Sequence, residues 1–171
     1  MQTKQQQLKS LYAQIDKLWH GVSGTKNGDY GKIVRLYVQV IKLDRHDRDA
    51  WENCVWLLWS MSKNESKDVY LIQAETMVKD YLKYNPNGYR AYEYVGQFYR
   101  SMKIDNKLAV IYYIEATKFK DAPKTTFYSL ISLYRKSNDK RRAIGLCRFS
   151  LRKFPNDPYI KARLKELTLQ R

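Results

Sequence analysis

The most reactive side chains in this sequence are two cysteines and two histidines, and their spacing decides whether they could form a catalytic or metal site. Cys54 and Cys147 lie 93 residues apart, each among apolar residues at helical spacing. A single distant pair matches neither a disulfide framework nor a metal-ligand motif, so we expect two small buried side chains. His20 and His46 fall in predicted connections and form no metal-ligand motif, which predicts exposed histidines and no metal.

The acidic residues and loops offer no stronger case for catalysis. The sequence has no glycine-rich phosphate loop and no GxSxG motif. Glu52 and Glu93 lie in separate segments, where we expect each to pair with an arginine or lysine rather than to form an acidic cleft. We therefore expect a non-enzymatic protein without a cofactor.

Basic residues are the most abundant candidates for binding chemistry. The chain has 32 Lys and Arg against 17 Asp and Glu, and 13 of the basic but only 3 of the acidic residues follow residue 123. Such asymmetry suits phosphates or an acidic protein, although a large net charge also serves solubility. The densest basic patch consists of Lys140, Arg141, Arg142, Arg148, Arg152 and Lys153. Lys161, Arg163 and Lys165 follow in the next segment.

Helices are the elements that must position these residues, because apolar residues recur three and four apart and strand-like alternation is absent. Gly, Pro, Asn, Asp and Ser mark breaks, and about nine helices of 12 to 17 residues are predicted between them. The breaks lie at residues 20–31, 62–66, 84–88, 103–106, 120–124, 137–139 and 154–158. No apolar run approaches the roughly 18 residues of a membrane span, and the start lacks the apolar run of a signal peptide. The expected compartment is the cytoplasm.

An internal repeat organises these helices. The segment YEYVGQFY at 92–99 returns 35 residues later as FYSLISLY at 127–134 and occurs 41 residues earlier as WENCVWLL at 51–58. Each copy precedes a second helix that carries a small residue and an apolar one four positions later. These pairs are Ala74 and Val78, Ala109 and Tyr113, and Ala143 and Cys147.

This pattern resembles the tetratricopeptide repeat (TPR), a helix-turn-helix unit of 34 residues. Trp51 stands at the family's leading tryptophan, Gly96 at its glycine, Tyr99 at its tyrosine, and Pro86 and Pro155 at its closing proline. In two copies, Val55 and Ile131 replace the glycine, and the first copy carries seven additional residues between its helices. The resemblance implies an all-α fold, a right-handed superhelical solenoid of about four antiparallel helix pairs and a capping helix.

The repeat predicts a single domain with internal boundaries. Its parts are a degenerate first pair (1–47), a second pair with the insertion (48–88), a third pair (89–123), a fourth pair (124–156) and a capping helix (157–171). In the first pair, Trp19 belongs to the stripe expected to face inward. Gly96 is expected to let the second helix of its own pair approach closely, since glycine inside a helix usually marks such a contact.

Binding is expected on the first helix of each pair, which in TPR proteins lines the concave groove. Four positions on each first helix share one face because their spacing is 3, 4 and 3. The predicted partner-binding groove consists of Asp49, Glu52, Trp56 and Trp59; Arg90, Glu93, Gln97 and Arg100; and Thr125, Tyr128, Ser132 and Arg135. Aromatic and arginine side chains are typical of binding hot spots. Trp56 and Trp59 could instead pack against the N-terminal helices, and the arginines could pair with neighbouring glutamates.

One TPR subclass binds the acidic tails of chaperones through a clamp of Lys, Asn and Arg, and the match is incomplete. Asn53 and Arg90 occupy two clamp positions and Lys9 is a candidate for a third, but Ala13 and Tyr94 stand where Asn and Arg are expected. The favoured function is a protein-interaction module, that is, a scaffold, adaptor or assembly factor with a protein or peptide partner that could be acidic. The alternative is a basic helical-repeat protein that binds RNA, DNA or a ribonucleoprotein through its C-terminal half.

Overall fold

The computed structural model describes residues 2–20 and 29–169, and every regular element within these ranges is an α-helix. Nine helices follow one another in this part of the chain. They are α1 (Lys4–His20), α2 (Tyr30–Leu43), α3 (Arg48–Glu65), α4 (Asp68–Tyr84), α5 (Tyr89–Ser101), α6 (Asn106–Thr117), α7 (Lys124–Lys136), α8 (Lys140–Lys153) and α9 (Pro158–Leu169). The predicted break at 20–31 falls largely outside the described residues.

The chain divides into two compact units, one up to Asn85 and one from Pro86 onward. In the first unit α1 packs on α2, α2 on α3 and α3 on α4; in the second unit each helix from α5 to α9 packs on the next. Both units are therefore built from helices that contact their sequence neighbours, as in helical repeats. The repeat boundaries given above, and the single domain, remain predictions.

The residues inserted in the second predicted pair lengthen its helices. The sequence predicts a break at 62–66, but α3 continues to Glu65 and α4 begins at Asp68, so these helices have 18 and 17 residues. Helices α5 and α6 have only 13 and 12. The predicted break is present but shorter and later, at residues 66 and 67, because Ser and Asn disfavour helix interiors only weakly and one residue in the left-handed region is enough to end α3.

That residue belongs to a turn that recurs between paired helices. Ser66, Ile104 and Asn138 have φ of 53°, 58° and 57°, each one residue before the N-cap position of the helix that follows. Asn tolerates this conformation, whereas a β-branched residue such as Ile is strained in it.

The side chains of four aspartates cap the N-termini of helices, and each occupies the same position relative to its helix. The carboxylates of Asp47, Asp105, Asp139 and Asp157 each accept a hydrogen bond of 3.0 Å from the backbone N–H three residues later. These caps satisfy donors that the first turn of a helix leaves unpaired.

The core confirms the role predicted for Gly96. A Cβ added there would lie 2.9 Å from the ring of Tyr113 on α6, the second helix of the same pair. Tyr113 is itself buried, so the glycine makes room for a ring rather than for another backbone. Cys54 and Cys147 are fully buried, as predicted.

Candidate protein-binding surfaces

The α3 part of the predicted groove contains two tryptophans with partly exposed side chains. Trp56 is 43% exposed, and its ring centroid lies 6.4 Å from that of Trp19 on α1. Trp59 is half-buried, and its indole N–H is shielded from solvent without an acceptor among the described residues. Asp49 is exposed, whereas Glu52 forms an ion pair of 2.6 Å with Arg48.

Trp19 extends this surface, although its spacing predicts a place on the inward stripe of the first helix. Its side chain is 37% exposed and its ring lies 6.0 Å from that of Tyr30. The actual core of α1 is narrower, since only Leu11 and Ile15 are buried. Trp19 is the last residue but one of α1. Its spacing from Ile15 gave no sign of this exposure.

On α5, in the second unit, the predicted groove residues differ in their surroundings. Arg90 is exposed with its guanidinium 5.9 Å from the ring of Tyr89, and Gln97 is exposed. Glu93 accepts a hydrogen bond of 2.6 Å from Thr126 on α7. Arg100 is half-buried and has no ion-pair partner in the described part of the chain.

On α7, the two largest predicted groove residues, Tyr128 and Arg135, form hydrogen bonds with residues at the start of α9 and within it. The Tyr128 hydroxyl donates to Asp157, and its ring lies 4.3 Å from that of Tyr159. Arg135 donates to Glu166 at 2.5 Å. Thr125 is exposed and Ser132 is half-buried. The α7–α9 contact is therefore a polar seam, and the open part of this face is smaller than the sequence pattern suggests.

Electrostatics reinforce that seam. Burial and the hydrogen bond to Asp157 raise the pKa of Tyr128 to about 12. Burial disfavours the charged form of Asp157, but donors from Tyr128 and the Ile160 backbone, together with nearby Lys124, outweigh it and lower its pKa. The tyrosine thus stays protonated as a donor and the aspartate stays ionised as an acceptor at neutral pH.

The predicted basic patch is only partly available on α8. Arg141, Arg148 and Arg152 are exposed, and the Arg152 guanidinium lies 5.2 Å from the ring of Phe149. Lys153 donates to the Ala122 carbonyl at 2.9 Å and therefore has a structural role.

Two further members of the basic region have acidic neighbours. Arg142 pairs with Asp139 at 3.3 Å, and Arg163 pairs with Glu166 at 2.5 Å. Lys140 lies at the start of α8 and is half-buried.

Comparison with solved structures decides the fold class. The chain aligns with the MamA RS-1 ArsTM double mutant over 96% of its own length and 84% of that chain, with a TM-score of 0.61 and 15% identity. It aligns with a second MamA structure over 94% of its length and 80% of that chain, with a TM-score of 0.57 and 17% identity. The fold is all-α and TPR-like. No protein-family model and no curated protein sequence matches the chain.

The two cysteines of this TPR-like chain are free thiols. Burial raises the pKa of the Cys54 thiol to about 12 and that of Cys147 to about 11, so neither is a thiolate at neutral pH. No group of three or more His, Cys, Asp or Glu residues that could hold a metal occurs in the described ranges. Among the same residues, no helix is long and apolar enough to cross a membrane.

Proposed function

We propose that this chain is a non-catalytic protein-binding module, a scaffold, adaptor or assembly factor, that holds segments of partner proteins on the faces of its first helices. The observation that carries the proposal is the exposure of Trp19 and Trp56, whose rings lie 6.4 Å apart on α1 and α3. Large aromatic side chains left partly open beside each other are typical of interaction sites, because covering them releases water and adds packing.

The second unit contributes its own surface on α5. Gln97 is exposed, and Arg100 has no ionic partner in the described ranges. An arginine of this kind can form a charge-assisted hydrogen bond with a partner carboxylate. We therefore expect partner segments that combine apolar and acidic side chains.

The proposal is tested by identifying a partner through cross-linking in native extract and then measuring its binding by calorimetry. Trp56→Ala should weaken binding by about 1 to 2 kcal/mol or more and leave the melting temperature nearly unchanged. Ile72→Ala is the matched control, because Ile72 is a large exposed apolar residue on α4, outside the predicted groove. Equal weakening by both variants, or none by Trp56→Ala, would contradict the proposal.

Nucleic-acid binding through α8 is the second candidate function, and it has weaker support. Exposed Arg141, Arg148 and Arg152 favour it, whereas the internal contacts of Lys153 and Arg163 reduce the patch. Single-stranded RNA binding would require log affinity to fall with log salt at a slope of about −0.7 per phosphate contacted. Changing Arg141, Arg142 and Arg148 to Gln should then make that slope shallower, by the amount that corresponds to about two to three fewer phosphate contacts. Unmeasurable RNA binding at about 0.15 M salt would rule this candidate out.

A further inference from the structure

A groove in the second unit lies outside the predicted partner-binding face. It has a volume of about 570 Å³ and runs between α6 and the start of α8, above α7. Val110, Ile111 and Ile114 form its α6 wall, Leu133 and Tyr134 belong to its floor, and Arg142 stands at its α8 edge. The groove is thus largely apolar inside, and the Arg142–Asp139 ion pair stands at its α8 edge.

Apolar side chains remain exposed on both helices that border this groove. Ile111 on α6 is 53% exposed and Phe149 on α8 is 48% exposed. Helical spacing places Phe149 on the same side of α8 as Arg142, two turns further along. Each helix therefore presents apolar surface that could be covered by a ligand lying along the groove.

Gly145 lies between Arg142 and Phe149 on that side of α8, and the fold gives no internal reason for it. An added Cβ would meet nothing within 4 Å, in contrast to Gly96, where the Tyr113 ring excludes it. Glycine inside a helix is destabilising by about 1 kcal/mol relative to alanine. An exposed helical glycine beside a groove permits the backbone of a bound segment to approach closely.

Charge around the groove is mainly basic, although Asp139 also lines it and forms an ion pair with Arg142. Helix α8 contains no acidic residue, and Arg141, Arg148 and Arg152 are exposed on it without an ion pair among the described residues. Lys107 adds a further cation to the α6 wall. An acidic ligand is the complement of this rim, since opposite potentials favour both encounter and orientation.

We propose that the α6–α8 groove is a second docking surface and that it binds an acidic amphipathic segment of a partner protein. The apolar face of the segment covers Ile111 and Phe149, its backbone passes Gly145, and its carboxylates meet the arginines of α8. A protein segment fits better than RNA because aliphatic side chains form most of the α6 wall. Phe149 is the exposed aromatic of the described part of α8, and Arg152 already lies against its ring, so there is no row of stacking platforms.

The test uses synthetic peptides of about 18 residues, with leucine at i, i+3, i+4 and i+7 and glutamate on the opposite face. Two comparison peptides replace either every leucine by serine or every glutamate by lysine, and an oligouridylate of about the same length serves as the nucleic-acid probe. Affinity is measured by fluorescence anisotropy at about 0.15 M salt. We expect the acidic amphipathic peptide to bind at least about tenfold more tightly than the other three probes.

Substitutions in the protein test whether the peptide binds in the α6–α8 groove. Ile111→Asp and Gly145→Gln should each lower the affinity for the acidic amphipathic peptide by about tenfold or more. Gly145→Gln should not lower the melting temperature, because it replaces a helical glycine in open space. Ile72→Asp, on α4, is the matched control for Ile111→Asp and should bind normally. Binding of the native partner to Trp56→Ala tests the proposed function, whereas peptide binding to Ile111→Asp and Gly145→Gln tests the groove, so the two can fail separately.

Several outcomes would overturn the inference. These are equal binding of the serine peptide, tighter binding of the oligouridylate, unchanged affinity in Ile111→Asp and Gly145→Gln, or no binding up to about 1 mM peptide.

Discussion

The α3 face of the first unit and the α7 face of the second occupy matching positions in the repeat but have different neighbours. On α7, Tyr128 and Arg135 donate hydrogen bonds to carboxylates of α9. On α3, Trp56 stays 43% exposed beside Trp19 of α1. Matching faces of the repeat therefore need not share a role, because the helix that lies opposite decides whether a side chain becomes internal or remains exposed.

One kind of hydrogen bond occurs in both units, so the two faces differ in specific residues and not in every contact. Tyr12 donates to Asp47 at 2.7 Å in the first unit, and Tyr128 donates to Asp157 in the second. Both aspartates are also helix caps. The Tyr–Asp link is common to both units, whereas the tryptophan pair occurs on α1 and α3, and the Arg135–Glu166 ion pair links α7 and α9.

The largest expected effect separates buried from exposed aromatics on the same helix. Trp51→Ala on α3 and Phe127→Ala on α7 should each lower the free energy of unfolding by about 3 to 5 kcal/mol, since both side chains are buried. Trp56→Ala should lower it by less than about 1 kcal/mol. Chemical denaturation measures all three, and a loss in Trp56→Ala as large as that in Trp51→Ala would make Trp56 part of the core.

Removing the Asp157 carboxylate tests the α7–α9 seam. Asp157→Ala should lower the free energy of unfolding by about 2 to 3 kcal/mol, because it removes the acceptor of two hydrogen bonds. One comes from the backbone N–H of Ile160 and caps α9, and the other comes from the Tyr128 hydroxyl. Asp47→Ala is the equivalent change in the first unit. If Asp157→Ala were neutral, the seam would contribute nothing to docking of α9.

The same carboxylate predicts a dependence on pH. The pKa of Asp157 is lowered in the folded protein, so its contribution is complete above the unfolded value of about 3.9 and is lost as pH falls through the folded pKa. Stability measured between about pH 6 and pH 2 should therefore decline less steeply in Asp157→Asn than in the wild type. Parallel curves would show that the ionised form has no special stabilisation.

Gly96 provides a test of close packing at an internal face, to be compared with open Gly145. Gly96→Ala should lower the free energy of unfolding by about 1 to 2 kcal/mol, because its Cβ would press on the buried ring of Tyr113. Gly145→Ala should raise it by up to about 1 kcal/mol. Thermal unfolding of Gly96→Ala and Gly145→Ala checks whether stability falls in the first and rises in the second. Stabilisation by Gly96→Ala would mean that the Tyr113 ring moves aside without cost.

The smallest expected effect lies in the turn that recurs between paired helices. Ile104→Asn should raise the free energy of unfolding by about 1 kcal/mol, since Ile104 is 72% exposed and has φ of 58°. Asn138→Ile, at the equivalent turn before α8, should lower it by a similar amount. Equal stability of the wild type and both variants would show that neither turn discriminates between the residues.

Local sequence rules were sufficient for the helices and for much of the repeat. The apolar spacing predicted the all-helical chain, and the self-similarity of 51–58, 92–99 and 127–134 predicted the TPR-like fold. The role of Gly96 followed as well, because a glycine inside a helix that also stands at the glycine position of the repeat predicts a close contact with the paired helix. The break predicted at 62–66 begins only at Ser66, since Ser and Asn permit a helix to continue when its neighbours pack well.

The sequence by itself determined which face of each helix a side chain occupies, because the helical period of 3.6 residues depends only on local hydrogen bonds. Only the tertiary structure decided what lies opposite each face: α9 beside Tyr128 and Arg135, the exposure of Trp19, the capture of Lys153 by the Ala122 carbonyl, and the open space at Gly145. These depend on contacts between residues far apart in the chain, and spacing within one helix carries no information about its partner across the core.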